Sequence, residues 1–195
     1  MLIDVHCHLD FLEKEGIKVE QAIKNARKNK VKIIICNGVN PEQNKKILAL
    51  AEEYSEVKPA IGVYPIDALK LSNKQIDEEI NFIKKNKNKI IAIGEIGLDF
   101  KEDQINQEKQ KEVFAKFIDL AKELNLPISV HSRKAELETI ELLEELKAKK
   151  VHMHCFMGKI KLAERIAKNG WYLSIPSCVK YNEQFQLIIQ KVPIE

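Results

Sequence analysis

The chain has 195 residues, 45% of them hydrophobic and 31% charged, with 32 basic against 29 acidic residues and a formal net charge of +3. That is the make-up of a soluble globular domain able to bury a substantial core, and no run approaches the ~20 apolar residues needed to cross a bilayer. Only three of the basic residues are arginines (Arg27, Arg133, Arg165), so a broad cationic face for nucleic acid is not implied, although a local patch is compatible.

The chain opens on "MLIDVHCHLD". Leu2, Ile3 and Val5 read as a short buried strand. Residues two apart on a strand share a face, so His6 and His8 leave its end side by side. Two imidazoles held together can share one cation, for which the neutral ring is a common ligand. Further strand candidates follow at "KIIICNG" (32–38), "KPAIGV" (58–63), "KIIAIGEIG" (89–97), "LPISVH" (126–131), "VHMHC" (151–155) and "WYLSI" (171–175). Between them apolar residues recur at helical spacing. In "NPEQNKKILALAEEY" Asn40 can cap a helix whose first turn accepts Pro41. In "DQINQEKQKEVFAKFIDLAKELN" the residues Phe114, Phe117, Ile118, Ala121 and Leu124 form one stripe, and "NEQFQLIIQKV" is the last helix.

Near-continuous apolar strands alternating with helices predict an α/β fold with a parallel sheet and helices outside it. No linker or low-complexity tract divides residues 1–195, which read as a single domain. Both an open doubly wound sheet and a (β/α)8 barrel fit seven strand–helix units, and no glycine-rich phosphate loop is present. The cysteines (Cys7, Cys36, Cys155, Cys178) form no C-x-x-C pair, and Asp4 and His6 interrupt any leader-like apolar start. Free thiols in a reducing cytoplasm are therefore expected.

Unusual polar residues gather at the C-terminal ends of these strands. His6 and His8 follow the first, Glu95 sits late in the fourth, His131 closes the fifth and His154 is near the end of the sixth. In a parallel α/β barrel that face carries the active site. Glu95, flanked by "IAIG" and "IGLD", needs a cationic or metal partner, because a carboxylate rarely enters an apolar strand alone. A set of imidazoles and one carboxylate suits Zn²⁺, Mn²⁺, Ni²⁺ or Fe²⁺ better than Mg²⁺. His152 shares a strand face with His154 and is expected to support the site rather than ligate.

Taken in order, "DVHCHLD", "GVYP", "AIGEIGLDF", "LPISVHSRKA" and "HCFMG" resemble the motifs of the TatD family, metal-dependent deoxyribonucleases of the amidohydrolase superfamily. The resemblance implies a TIM-like (β/α)8 barrel, one or two divalent metals (Zn, Mn, Mg or Ni) and hydrolysis of phosphodiester bonds in DNA. It implies that His6 and His8 hold the first metal, that Glu95 bridges and is catalytic, and that His131 and His154 hold the second. Two departures fall at the rim: Tyr64 stands where the family commonly has His, and Lys134 where an acidic residue often follows "H-x-R". The family also carries a catalytic Asp on an eighth strand, and the sequence stops at Glu195 before such a strand. The expectation is thus a C-terminally truncated barrel whose general-base Asp lies beyond Glu195.

The activity expected is a DNA 3′-end exonuclease acting on single strands or 3′ ends, with Arg133 on a phosphate through its planar fork and no obligate protein partner. Two alternatives remain open from the residues: a small-molecule amidohydrolase or lactonase with the same centre, and a non-catalytic barrel with a vestigial site.

Overall fold

The computed structural model describes residues 2–193, so the end at Glu195, after which the eighth strand is expected, lies outside the described residues. Seven strands, β1 (Leu2–Cys7), β2 (Val31–Asn37), β3 (Val57–Ile61), β4 (Ala92–Asp99), β5 (Ile128–Arg133), β6 (Val151–Met153) and β7 (Tyr172–Leu173), pair in parallel in chain order. A doubly wound sheet would reverse its strand order part-way; an unbroken order with crossovers of one hand keeps every helix on one side and curls the sheet into a barrel wall. The curl is measurable. The rings of His6 on β1 and His154 just after β6 stack with centroids 3.8 Å apart, although those strands are five positions apart in the sheet. In a flat sheet they would be separated by about 24 Å.

The helices are α1 (Val19–Lys28), α2 (Pro41–Glu53), α3 (Pro65–Leu69), α4 (Asn73–Lys85), α5 (Gln107–Leu124), α6 (Glu136–Glu145), α7 (Ile160–Lys168) and α8 (Glu183–Lys191). Asn40 caps α2 as expected, its side chain accepting from Gln43 N, and Pro41 opens the helix. Ser72 and Gln75 add a reciprocal capping box to α4. The α5 stripe is buried at Phe114, Phe117, Ile118 and Ala121 and packs on β4, whose eight residues are all buried. The main core lies under β3 to β7; a second cluster around Ile23, Ile34, Cys36 and Ile47 seals β1 and β2 against α1 and α2.

Two sequence expectations need correction. The first strand is not buried: Leu2, Ile3 and Val5 are 58%, 46% and 43% exposed. The strand has β2 as its only partner among the described residues, so its second edge and the faces beside it lack cover. Tyr172 on β7, the opposite edge, is likewise 61% exposed. The fourth and fifth strands also run further than their apolar runs suggest. The turn after α4 takes Lys89, the first residue of "KIIAIGEIG", whose N–H donates to Asn86 O; Ile90 and Ile91 lead into β4, which begins at Ala92 and ends at Asp99. Glu95 and His131 therefore sit within their strands, while Asp99 takes the strand end.

Gly97 makes that arrangement possible. It has φ +139 and faces His131 in the β4–β5 register, where a methyl group would overlap the His131 carbonyl. Gly97→Ala is expected to cost about 2 kcal/mol or more. Gly16→Ala, also at positive φ (+75) but with nothing within 4 Å, should cost less. Urea unfolding midpoints of the two variants check the difference.

Candidate metal centre

The four predicted histidine donors converge on the fifth, Glu95. The carboxylate is 3% exposed and its two oxygens face different histidine pairs. Glu95 Oε2 lies 3.4 Å from His6 Nε2 and 3.2 Å from His8 Nε2, and those nitrogens are 3.2 Å from each other. Glu95 Oε1 lies 3.0 Å from His131 Nδ1 and 2.8 Å from His154 Nε2, themselves 3.3 Å apart. Each oxygen thus closes a triangle with two imidazole nitrogens. Ligands about 2.1 Å from a cation are separated by roughly 3.0 Å at octahedral and 3.4 Å at tetrahedral angles. Both triangles have edges of that size.

The outer contacts decide which ring atoms point inward. His8 Nδ1 donates to the Asn37 carbonyl at 2.8 Å, which leaves Nε2 as a lone pair toward Glu95. His131 Nε2 sits 2.9 Å from Asp99 Oδ2, so its Nδ1 is the inward lone pair. His6 Nδ1 meets the Ser129 hydroxyl at 3.0 Å. Lone pairs facing a carboxylate need a proton or a cation between them. The donor set fits a divalent cation, with outer hydrogen bonds of the kind that orient metal-ligating histidines.

The electrostatics of the metal-free chain follow from the same contacts. Burial alone would raise the Glu95 carboxyl, but hydrogen bonds from the four imidazoles reverse this and hold it well below the ordinary carboxylate range. Burial disfavours the His131 cation, yet Asp99 and Glu95 outweigh it and push its pKa up to about 9. His6 is lowered, chiefly by burial, whereas His8 is raised because Glu95 overcomes its burial. Asp99 is held down to about 2, as the hydrogen bonds of His131 and Tyr64 outweigh burial.

The remaining sequence candidates lie around this cluster. His152 does not reach the Glu95 oxygens. Its Nε2 is buried without a hydrogen-bond partner beside a largely apolar hollow lined by Val5, Ile35, Ser129, Tyr172 and Ser174, and burial lowers its pKa to about 4. Arg133 pairs with Glu102 at 3.0 Å, both side chains about half exposed. It borders a cavity of about 310 Å³ with His131, His154, Cys155 and Met157. Tyr64 reaches further in than a rim residue, its hydroxyl 2.6 Å from Asp99 Oδ2. All four cysteines are free thiols. Sequence reasoning missed the work of Asp99, Ser129 and Gln110. For Asp99 a signal existed: Glu95, Gly97 and Asp99 share one strand face by the same two-residue period that pairs His6 with His8.

A profile of the family described as TatD related DNase matches residues 3–195. The chain belongs to this family. It is 33% identical to the human protein named deoxyribonuclease TATDN3 over 204 residues, covering 99% of this chain and 74% of that one. It is 35% identical to the Bacillus subtilis protein YabD, named an uncharacterized metal-dependent hydrolase, over 99% of this chain and 76% of that one. The crystal structure of YjjV, a TatD homologue from Escherichia coli, superposes with a TM-score of 0.90 at 29% identity, covering 98% of this chain and 75% of that chain. As a TatD-related chain the protein is a metal-dependent hydrolase of the deoxyribonuclease family, with a TIM-barrel architecture. Among the described residues no helix is long and apolar enough to cross a membrane.

A cation that binds only the folded chain stabilises it by about 2.7 kcal/mol at 100 times its Kd. For a chain of this size that raises Tm by roughly 5–11 °C. Zn²⁺ or Mn²⁺ added to metal-free protein should produce such a shift in a thermal scan, and His8→Ala should reduce it. A midpoint indifferent to both metals would mean that protons alone hold the cluster together.

Proposed function

We propose that this chain carries a two-cation phosphodiesterase centre that removes nucleotides from the 3′ ends of DNA, with single strands preferred. The observation that carries the reading is the pair of donor triangles sharing Glu95. His6, His8 and Glu95 Oε2 would hold one divalent cation, and His131, His154 and Glu95 Oε1 the other. When bound, such cations supply Lewis acidity: they draw electron density from a phosphoryl oxygen and make water a stronger acid.

The chain's own residues do the rest. Glu95, with one oxygen toward each histidine pair, would serve both cations, and its burial keeps bulk water from those oxygens. Arg133, at the mouth of the cavity beside His131 and His154, exchanges Glu102 for a substrate phosphate through its bidentate fork. Lys101 and Lys134 border an adjoining polar hollow of about 550 Å³, which suits the neighbouring phosphates of a strand. DNA as substrate is also supported by the human relative's name, deoxyribonuclease TATDN3. A general-base Asp on an eighth strand remains part of the proposal. The exposed edges of β1 and β7 and the greater length of the relatives support such a strand. Four free thiols suit a reducing, cytoplasmic setting.

A 5′-labelled single-stranded oligonucleotide, incubated with the full-length protein, should shorten stepwise from its 3′ end. EDTA should abolish the reaction, and Mn²⁺, Mg²⁺ or Zn²⁺ should restore it. Undiminished cleavage in metal-free buffer would sink the metal reading; internal fragments would sink the 3′-end assignment. Turnover of a lactone or cyclic amide with no DNA cleavage would replace the substrate class.

Glu95→Gln keeps the shape of the side chain but loses the charge shared between the two positions. It should lower kcat by roughly 100-fold or more while shifting the metal-free Tm by only a few degrees. A variant within about fivefold of the parent rate would make Glu95 a structural carboxylate.

A further inference from the structure

Asp99 ends β4 four residues after Glu95 and is fully buried. Its two oxygens have separate tasks. Oδ1 accepts from the backbone N–H groups of Lys101 at 3.0 Å and Glu102 at 2.9 Å. Oδ2 accepts from the Tyr64 hydroxyl at 2.6 Å and from His131 Nε2 at 2.9 Å. The backbone of Asp99 is itself clasped by Gln110 of α5, which is 1% exposed. Gln110 Oε1 accepts from Asp99 N at 2.8 Å, and its Nε2 donates to Asp99 O at 3.1 Å. A carboxylate can only accept, so the facing His131 Nε2 must carry hydrogen, and Nδ1 is left bare toward Glu95 and His154.

We infer that Asp99, anchored by Gln110 and Tyr64, is the positioning residue that holds His131 as its Nε2–H tautomer, and so sets cation affinity on the His131–His154 side of Glu95 but not on the His6–His8 side. The affinity part rests on the reading of this cluster as a metal centre. The sidedness follows from the contacts: the outer partners of His6 and His8 are Ser129 and Asn37, on other strands and unconnected to Asp99 by any hydrogen bond among the described residues. Tyr64 belongs to the device because its hydroxyl donates to the same oxygen and its ring stands edge-on to His131, centroids 4.9 Å apart.

Asp99→Asn tests this sharply. Two backbone N–H groups hold the Oδ1 position, so the amide oxygen is retained there and the NH₂ turns toward His131 and Tyr64. An NH₂ donates to His131 Nε2 and drives its hydrogen to Nδ1, toward Glu95. Replacing the orienting carboxylate of a catalytic histidine by an amide is known to trap the wrong tautomer in this way. Long-range ¹H–¹⁵N spectra of the metal-free protein, in buffer alkaline enough to leave the ring neutral, read the tautomer directly. The expected result is Nε2–H in the parent and Nδ1–H in the variant. Titration with Zn²⁺ against a chelating dye should then show one equivalent weakened by roughly 10–100-fold and the other unchanged.

An Nε2–H ring in Asp99→Asn, or two unchanged equivalents, overturns the inference and leaves Asp99 as a turn anchor. Equal weakening of both equivalents overturns the sidedness. A parent that takes up no Zn²⁺ overturns the metal reading and the affinity claim with it, which separates that failure from the others. Should Asp99→Asn not fold, Tyr64→Phe carries the test. A several-fold loss confined to one equivalent is expected, and an isotherm identical to the parent's overturns the inference.

Discussion

A carboxylate buried in the middle of an apolar strand is the constraint on which this structure turns. Removing an ion of that size from water costs several kcal/mol even after relaxation, and an unpaired one is not tolerated. Glu95 is compensated by four imidazoles, His6 on β1, His8 just after it, His131 on β5 and His154 just after β6, while its own N–H donates to the Gly38 carbonyl at 2.7 Å. The compensation can form only if those strands run parallel, end at one face and curl toward each other. A flat sheet would leave His6 and His154 too far apart to share one side chain.

The same contacts tie the sheet together across its open side. Among the described residues β1 pairs with β2 alone, yet His6 bonds Ser129 of β5 and stacks on His154. The polar centre thus does inside the barrel what backbone pairing does around its wall. A cluster of lone pairs is a poor brace by itself, because imidazole nitrogens and carboxylate oxygens repel unless protons or cations lie between them. Site chemistry and barrel curvature are therefore coupled: whatever neutralises Glu95 also draws β1 toward β6. By such coupling a functional group can weaken a bare fold and a bound cation can restore the loss.

How much of this was legible in the chain depends on contrast. His6, His8, Glu95, His131 and His154 stood out because each interrupts an otherwise apolar run, and the parallel-strand rule then sends them all to one end. The helices were equally plain, since the α5 stripe and the Asn40–Pro41 start are local signals. What failed was whatever depends on neighbours. The apolar pattern of Leu2, Ile3 and Val5 is that of an inner strand, and only the sheet order reveals an edge. Strand limits slipped because the turn at Asn86–Lys89 takes the first residue of the segment assigned to β4, and Ile90 and Ile91 lead into the strand without belonging to it. Ser129 and Gln110 carry no contrast at all, being small or neutral residues whose work lies in hydrogen bonds to partners elsewhere in the chain, one from Ser129 to His6 and a pair from Gln110 to the Asp99 backbone.

Asp99 shows why a second carboxylate on the same strand face need not repeat the role of the first. Glu95 has the longer side chain and reaches the centre, where its charge meets lone pairs. Asp99, one methylene shorter and at the strand end, meets only donors: two backbone N–H groups, a phenol and an imidazole N–H. The two acids differ less in intrinsic chemistry than in what β4 and its following turn bring to them. Between them stands His131, with one nitrogen on each carboxylate. Because an imidazole has only one hydrogen to place when neutral, fixing it at Asp99 leaves the opposite nitrogen bare at Glu95. The outer acid thereby determines what the inner one can share, and a strand face repeating every second residue is enough to encode both.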